Sequence, residues 1–307
     1  FPAGTASPIP GFPSLPSVTI DPAQYPPLDK VPPIDSDVVK QWLSRIDLTK
    51  APKSSVTGQN GCSNTTYNAE AITKAGADGN CWWTCSGCTR DTDISSCPNK
   101  GTWGVTFDDG PSPYTPNILQ YLDQHKIKAT FFVVGSRAIS QPQILQAEYM
   151  ALHQTCLHTW SHTSLTTLTN EEVVAEFAWS MKAFKDIIGV IPSCARPPYG
   201  DVDDRIRYIM KAMGLSIILW TSANGETFDT NDWRVEAGQM TATDAVKSFN
   251  DILNMQSTLN TVLAHDLFKR TIALSVNSFL PTAQQHGLKL QDVGTCLGNQ
   301  PSQSYLK

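Results

Sequence analysis

Thr102-Trp103-Gly104-Val105-Thr106-Phe107-Asp108-Asp109-Gly110-Pro111 decides how this chain is read. An apolar, β-prone run ends abruptly in two carboxylates and a turn. Four other short apolar runs end the same way. Thr155-Cys156-Leu157 runs into His158, with His162 four residues on. Cys194-Ala195 leads to Arg196, Ile217-Ile218-Leu219 to Trp220, and Val262-Leu263-Ala264 to His265. Parallel α/β barrels carry their active sites at the carboxyl ends of their strands. Residues scattered along the chain but repeatedly placed at strand ends should therefore converge, and these residue types fit metal-assisted hydrolysis.

Around this stretch, strands and helices alternate. Residues 102–107 read as a strand, 117–126 as a helix, and 128–134 as a strand closed by Gly135. A strand then leads to His158. Thr169 and Glu172 form a capping box, and Val173, Val174, Phe177, Met181, Phe184 and Ile188 recur at helical spacing until Gly189. A short strand to Arg196, a helix at 204–213 stopped by Gly214, and a strand at 215–220 follow. A helix at 242–255, a strand at 261–265, a helix at 271–280 and a last strand near Leu288 complete the pattern. This alternation predicts an α/β fold on a parallel sheet, open or closed into a barrel. The expected organisation is a proline-rich arm and cysteine-rich segment at 1–100, a main domain at 101–298 and a tail at 299–307.

The first 33 residues hold ten prolines, which forbids regular helix and sheet and predicts an extended arm. Residues 36–46 read as a short helix with Val38, Val39, Trp42, Leu43 and Ile46 on one face. Residues 47–100 read as loops stapled onto the main domain. The eight cysteines, an even set, predict disulfides and an oxidising compartment. A structural zinc site at Cys81, Cys85, Cys88 and Cys97 is the alternative. Asn64-Thr65-Thr66 is an N-glycosylation sequon, which fits secretion. With no initiator Met and no signal peptide, Phe1 is expected to follow a cleavage or an artificial boundary. The net charge of −5 leaves no basic footprint for nucleic acid. No apolar run approaches the ~20 residues that span a bilayer. A monomer is expected.

Each motif has a chemical use and an ordinary one. Asp108-Asp109-Gly110 is common turn chemistry when taken alone. Gly110 would allow a bend that brings both carboxylates to one site. His158 and His162, four apart, would share one face of a helical turn and could hold one metal ion with an Asp, leaving room for water or substrate. Arg196-Pro197-Pro198-Tyr199-Gly200 offers one fixed positive charge for a bidentate carboxylate pair. His265 could serve as an acid or as a satisfied core residue. Trp82, Trp83, Tyr114 and Trp160 are candidate sugar platforms or ordinary packing.

Five ordered motifs carry a resemblance to a known family. They are Thr106 to Ser112, His158 to His162, Arg196 to Gly200, Asp229-Thr230-Asn231-Asp232-Trp233, and Leu263-Ala264-His265-Asp266. Over about residues 102–290 the chain resembles the polysaccharide deacetylases of carbohydrate esterase family 4, in particular fungal chitin deacetylases, those of basidiomycetes among them. The resemblance implies a distorted (β/α) barrel with fewer than eight repeats. It implies one divalent metal, usually zinc and sometimes cobalt or manganese, on Asp109, His158 and His162. Asp108 would be the general base and Arg196 its orienting partner. His265 would be the general acid, tuned by Asp232 in preference to Asp229. The Tyr199 N–H would help form the oxyanion hole. Leu263 and Trp233, with Trp220 and Trp160, would meet the substrate.

The implied substrate is chitin or an N-acetylglucosamine oligomer, deacetylated outside the cell or at the wall. O-deacetylation, as in acetylxylan esterases, and an inactive chitin-binding wall protein are the alternatives. Leu152-His153-Gln154 departs from the family's usual approach to the first metal histidine, and residues 222–228 are an insertion expected to contribute to the groove wall. Cys156 and Cys194 each precede a site residue by two and are expected to pair. The other six cysteines allow 15 connectivities.

Overall fold

A computed structural model describes residues 1–223, 226–254 and 260–306. Eight strands form one parallel sheet. They are β1 (Asp93–Ile94), β2 (Thr102–Asp108), β3 (Thr130–Val133), β4 (Gln154–Leu157), β5 (Cys194–Ala195), β6 (Ser216–Ile218), and, after the hairpin β7 (Ser222–Ala223) and β8 (Glu226–Thr227), β9 (Asn260–Val262) and β10 (Lys289–Gln291). The order is β1-β6-β5-β4-β3-β2-β10, with β9 also pairing β2. At Trp103 and Gly104, β2 has β10 on one edge and β9 on the other. Every residue of β2 is buried, as a parallel strand covered on both faces requires.

The sheet curves into a distorted barrel but does not close. Between β6 and β9, Thr221, Phe228 and Thr230 bridge the gap. Thr221 N–H donates to the Thr261 carbonyl at 3.0 Å, Leu263 N–H to Phe228 at 3.0 Å, and Thr230 N–H to Leu263 at 3.1 Å. The insertion holds the paired strands β7 and β8; Asn224 and Gly225 lie outside the described residues, as does Met255, to which the sequence extends the helix Ala242–Asn254.

The long helix Asn170–Ile188 forms as its pattern predicts. Thr169 and Glu172 make a reciprocal capping box, and Gly189 ends the helix in left-handed conformation at φ 79°. Two helices, Gly135–Ser140 and Pro142–Met150, occupy a stretch with no helical periodicity in the sequence. Pro142 starts the second, where its missing N–H costs nothing.

The arm is wrapped on the surface, with only a short 3₁₀ turn, Pro22–Gln24. Ile9 and Leu15 are buried in the main core. All eight cysteines pair, as Cys62–Cys85, Cys81–Cys88, Cys97–Cys296 and Cys156–Cys194, which leaves no thiolates for a structural zinc.

His153, just before β4, is buried and its Nδ1 accepts the Ala129 N–H at 3.2 Å. Burial, with Lys128 nearby, pushes its pKa down to about 3. An unfolded histidine titrates near ~6.5. Between these values the unfolded chain binds a proton that the folded chain refuses, so stability falls as pH drops below about 6.5. Going from pH 7 to pH 5 should cost about 2 kcal/mol from this residue. Urea unfolding of the wild type and of His153→Asn at both pH values checks this; parallel pH dependences would refute it.

Candidate active site

The carboxyl ends of β2, β4, β5 and β9 meet at one end of the barrel. Asp108 closes β2 and is buried. Asp109 follows in left-handed backbone at φ 78°, which breaks the alternation of side chains along the strand. Both carboxylates therefore reach the same imidazole: His158 Nε2 lies 3.8 Å from Asp108 Oδ2 and 3.3 Å from Asp109 Oδ1. The bend is thus made by Asp109 itself and not by Gly110. Gly110 serves close approach, since a Cβ there would sit 2.2 Å from Asp266 Oδ2.

His158 and His162 come together without the helical turn expected from their spacing. Thr159 and His162 are left-handed, at φ 63° and 61°, and fold the loop back so that the two rings lie 5.0 Å apart. The Thr159 hydroxyl accepts the His162 N–H at 3.0 Å. The Arg196 carbonyl, 2.7 Å from His158 Nδ1, can only accept. It therefore holds the proton on Nδ1 and leaves Nε2 as a ligand atom. Asp109 Oδ1 lies 2.9 Å from His162 Nε2. The three ligand atoms of Asp109, His158 and His162 are all within 4.8 Å of one another.

Arg196 leaves β5 fully buried. Its Nη1 donates to Asp108 Oδ1 at 2.6 Å and to Thr106 Oγ1 at 2.8 Å, while Nε and Nη2 reach the Ile218 and Leu219 carbonyls. The guanidinium also lies over the Phe132 ring at 4.0 Å. A buried charge is tolerated when its donors are met in this way.

On the β9 side, His265 bridges to Asp108. Asp232 Oδ1 is 2.7 Å from His265 Nδ1, and Asp232 Oδ2 accepts the His265 N–H at 2.8 Å. Burial would lower this histidine's pKa. The Asp232 charge and hydrogen bond, with Asp109 and Asp108 beyond, push it up to about 10. Asp229 instead accepts the Trp233 indole N–H at 2.9 Å.

A pocket of about 290 Å³ joins these groups, lined by Asp108, Asp109, His158, His162 and His265 with Tyr199, Trp220, Asp229, Trp233 and Leu263. Tyr199, in left-handed backbone at φ 59°, packs edge-on to His162 at 4.7 Å. Trp160 lies away from this surface, contrary to its expected role. It is fully buried, stacked on Tyr25 of the arm at 6.0 Å, with Nε1 donating to the Pro27 carbonyl. Trp82 and Trp83 are likewise buried, and exposed Tyr114 does not line the pocket.

Two shaping residues escaped the sequence reading, and a third, Asp266, stood in the fifth motif without a role. Glu176 Oε2 accepts the Trp160 and Ser161 N–H groups at 2.8 and 2.9 Å and so shapes the histidine loop. A carboxylate on the otherwise apolar face of the long helix was its signal. Arg137 Nη1 donates to the Asp109 carbonyl at 2.8 Å. Asp266 Oδ1 accepts the Gly110 N–H at 3.0 Å.

A parallel α/β barrel that gathers two imidazoles and a carboxylate at its strand ends has the form of a barrel metalloprotein. Comparisons with known proteins narrow that class. Residues 95–218 match the family described as polysaccharide deacetylase. Over its whole length the chain is 47% identical to Chitin deacetylase 1 of Cryptococcus neoformans var. grubii serotype A, covering 66% of that protein. It is 30% identical to Chitin deacetylase 2 of Saccharomyces cerevisiae over 76% of this chain and 68% of that one. The structure of the chitin deacetylase from the fungal pathogen Colletotrichum lindemuthianum matches with a TM-score of 0.63 at 28% identity, over 70% of this chain and 95% of that one. The chain belongs to the polysaccharide deacetylase family. It spans 66% and 60% of the first two curated relatives it matches.

Proposed function

We propose that this protein hydrolyses the N-acetyl groups of chitin or chito-oligosaccharides, giving chitosan and acetate, and that it does so outside the cell. The carrying observation is that Asp108, paired with Arg196 behind it, and His265, paired with Asp232 behind it, line one pocket with the Asp109, His158 and His162 cluster. The chitin deacetylases among its relatives support the substrate class, and four disulfides fit an oxidising compartment.

The cluster fits a divalent ion. Asp109 Oδ1 is buried without a hydrogen-bond partner and faces two ring nitrogens, an arrangement that is costly unless a cation completes it. One carboxylate and two imidazoles suit zinc, with cobalt and manganese as alternatives. The ion, when bound, supplies Lewis-acid polarisation to the acetamide carbonyl and acidifies a water.

Asp108, held by Arg196, takes a proton as water attacks. The Tyr199 N–H donates to the oxygen on which charge develops. His265, kept protonated by Asp232, gives its Nε2 proton to the departing amide nitrogen. Leu263 offers an apolar wall to the acetyl methyl, and Trp233 and Trp220 offer faces to the sugar ring.

The test is acetate release from acetylated chito-oligosaccharides and from acetylxylan in parallel. Release from the chito-oligosaccharide should fall to background after chelation and return with zinc. Release from xylan alone would favour an O-deacetylase. No release from either with metal bound would overturn both.

A further inference from the structure

We propose that the disulfide-rich N-terminal segment builds a sugar-binding subsite beside the catalytic pocket, for further units of the same N-acetylhexosamine chain. This rests on the deacetylase reading above. A second cleft, of about 590 Å³, shares His162 and Tyr199 with the pocket and so begins at its rim. That volume lies within the ~300–1,000 Å³ of ligand sites. Gln59, Asn60, Ser63 and Thr84 of the N-terminal segment form one side, and Thr163 and Ser164 of the barrel form the other. The matched family region begins only at residue 95, beyond this wall.

The wall is built rather than draped. The disulfide Cys62–Cys85 joins its two pieces, the turn Gly61–Ser63 and the short helix Trp83–Ser86. A single buried carboxylate ties both sides together. Asp201 Oδ1 accepts the Trp82 indole N–H at 2.7 Å and the Thr84 hydroxyl at 2.8 Å. Its Oδ2 accepts the Ser164 hydroxyl at 2.6 Å and the Thr166 N–H at 2.9 Å. Trp83 meets Trp220 of the pocket edge-on at 4.5 Å, and a Cβ on Gly200 would lie 2.3 Å from the Trp83 ring. The segment is therefore packed against the same turn that carries Arg196 and Tyr199.

The chemistry of the lining selects the ligand. Apart from His162 at the shared rim, the polar lining is amides and hydroxyls, and the one carboxylate, Asp201, is consumed by donors that include the Thr84 and Ser164 hydroxyls of that lining. Such a surface matches neutral hydroxyl and acetamide groups rather than an anion or a cation. A polymer with one acetamide in the pocket must leave it along the surface, and this cleft adjoins its mouth.

The experiment measures kcat and KM on chito-oligosaccharides from dimer to hexamer, with direct calorimetric binding of the hexamer. Ser63 is exposed, so Ser63→Trp should fill the cleft without disturbing the fold. It should raise KM for the hexamer about tenfold, the effect of ~1.4 kcal/mol of lost binding, with kcat and dimer turnover unchanged. Asn60 is left-handed at φ 70°, so Asn60→Gly with Gln59→Ala removes both amides and keeps the backbone. That variant should weaken hexamer binding in the same direction. Unchanged chain-length dependence and hexamer affinity in both variants would overturn the subsite. Hexamer binding that Ser63→Trp abolishes, with no acetate released by the wild type, would keep the cleft and overturn the deacetylase reading.

Discussion

Replacing His265 with alanine is expected to lower acetate release from a chito-oligosaccharide by about 100- to 10,000-fold, the usual contribution of a positioned general acid. Release from an O-acetylated sugar should fall far less. The difference lies in the leaving groups. An amide nitrogen departs poorly unless it is protonated, whereas an ester oxygen leaves with less help. In the proposed mechanism His265 supplies that proton: Asp232 lies 2.7 Å from its Nδ1, and His265 lines the pocket. Burial works against the charged ring, but the Asp232 carboxylate, with Asp109 and Asp108 beyond it, raises its pKa to about 10. An acid must be protonated to act, so the rate should fall at alkaline pH as His265 loses its proton, and an ion on Asp109 should bring that fall to lower pH by offsetting one of the raising charges. Asp232→Asn removes the raising charge and should move the alkaline limb of kcat to lower pH. Parallel measurements on amide and ester substrates across pH check both parts. Equal losses on the two substrates would remove His265 from the role of acid.

The barrel was legible because its strands are short, apolar and β-prone and its long helix carries a complete capping box. The arm was legible because ten prolines leave few conformations. The helices Gly135–Ser140 and Pro142–Met150 were not: both are short, and much of each is buried, so no polar face alternates with an apolar one. Strand ends marked the chemical residues, but not the backbone that aims them. Left-handed Asp109, Thr159, His162 and Tyr199 do the aiming: Asp and His enter that region more readily than most residues, but Thr and Tyr give no sign of it, and none of the four marks the turn by type alone. That is why a helical turn was expected where a folded-back loop joins the two histidines. Trp160 was misjudged for a related reason. Adjacency to a histidine of the cluster says nothing about which side of the loop a ring takes, and Tyr25 and Pro27 of a distant arm claim that ring. Contacts made across more than a hundred residues have no local signature.

Asp108→Asn and Asp109→Asn should fail in different ways, although the residues are neighbours and the substitutions identical. In the proposed mechanism Asp108 accepts a proton and Asp109 binds the ion. Asp108→Asn removes the base and should lower kcat by about 100- to 10,000-fold while the protein still carries one zinc per chain. It also removes the counter-charge of Arg196, which is 0% exposed. Deleting one partner of a buried pair costs ~3–5 kcal/mol, and the asparagine carbonyl keeps one of the Arg196 bonds, so a smaller but clear loss of stability is expected. Asp109→Asn removes the sole carboxylate of the ligand cluster, so zinc should be lost on dialysis and activity with it. Its stability in chelator should fall less than that of Asp108→Asn, because Asp109 Oδ1 faces the His158 and His162 rings and not a buried guanidinium. Metal content by elemental analysis, kcat and urea unfolding separate the two outcomes. Zinc lost from Asp108→Asn, or retained by Asp109→Asn, would reverse the division of labour between the two carboxylates.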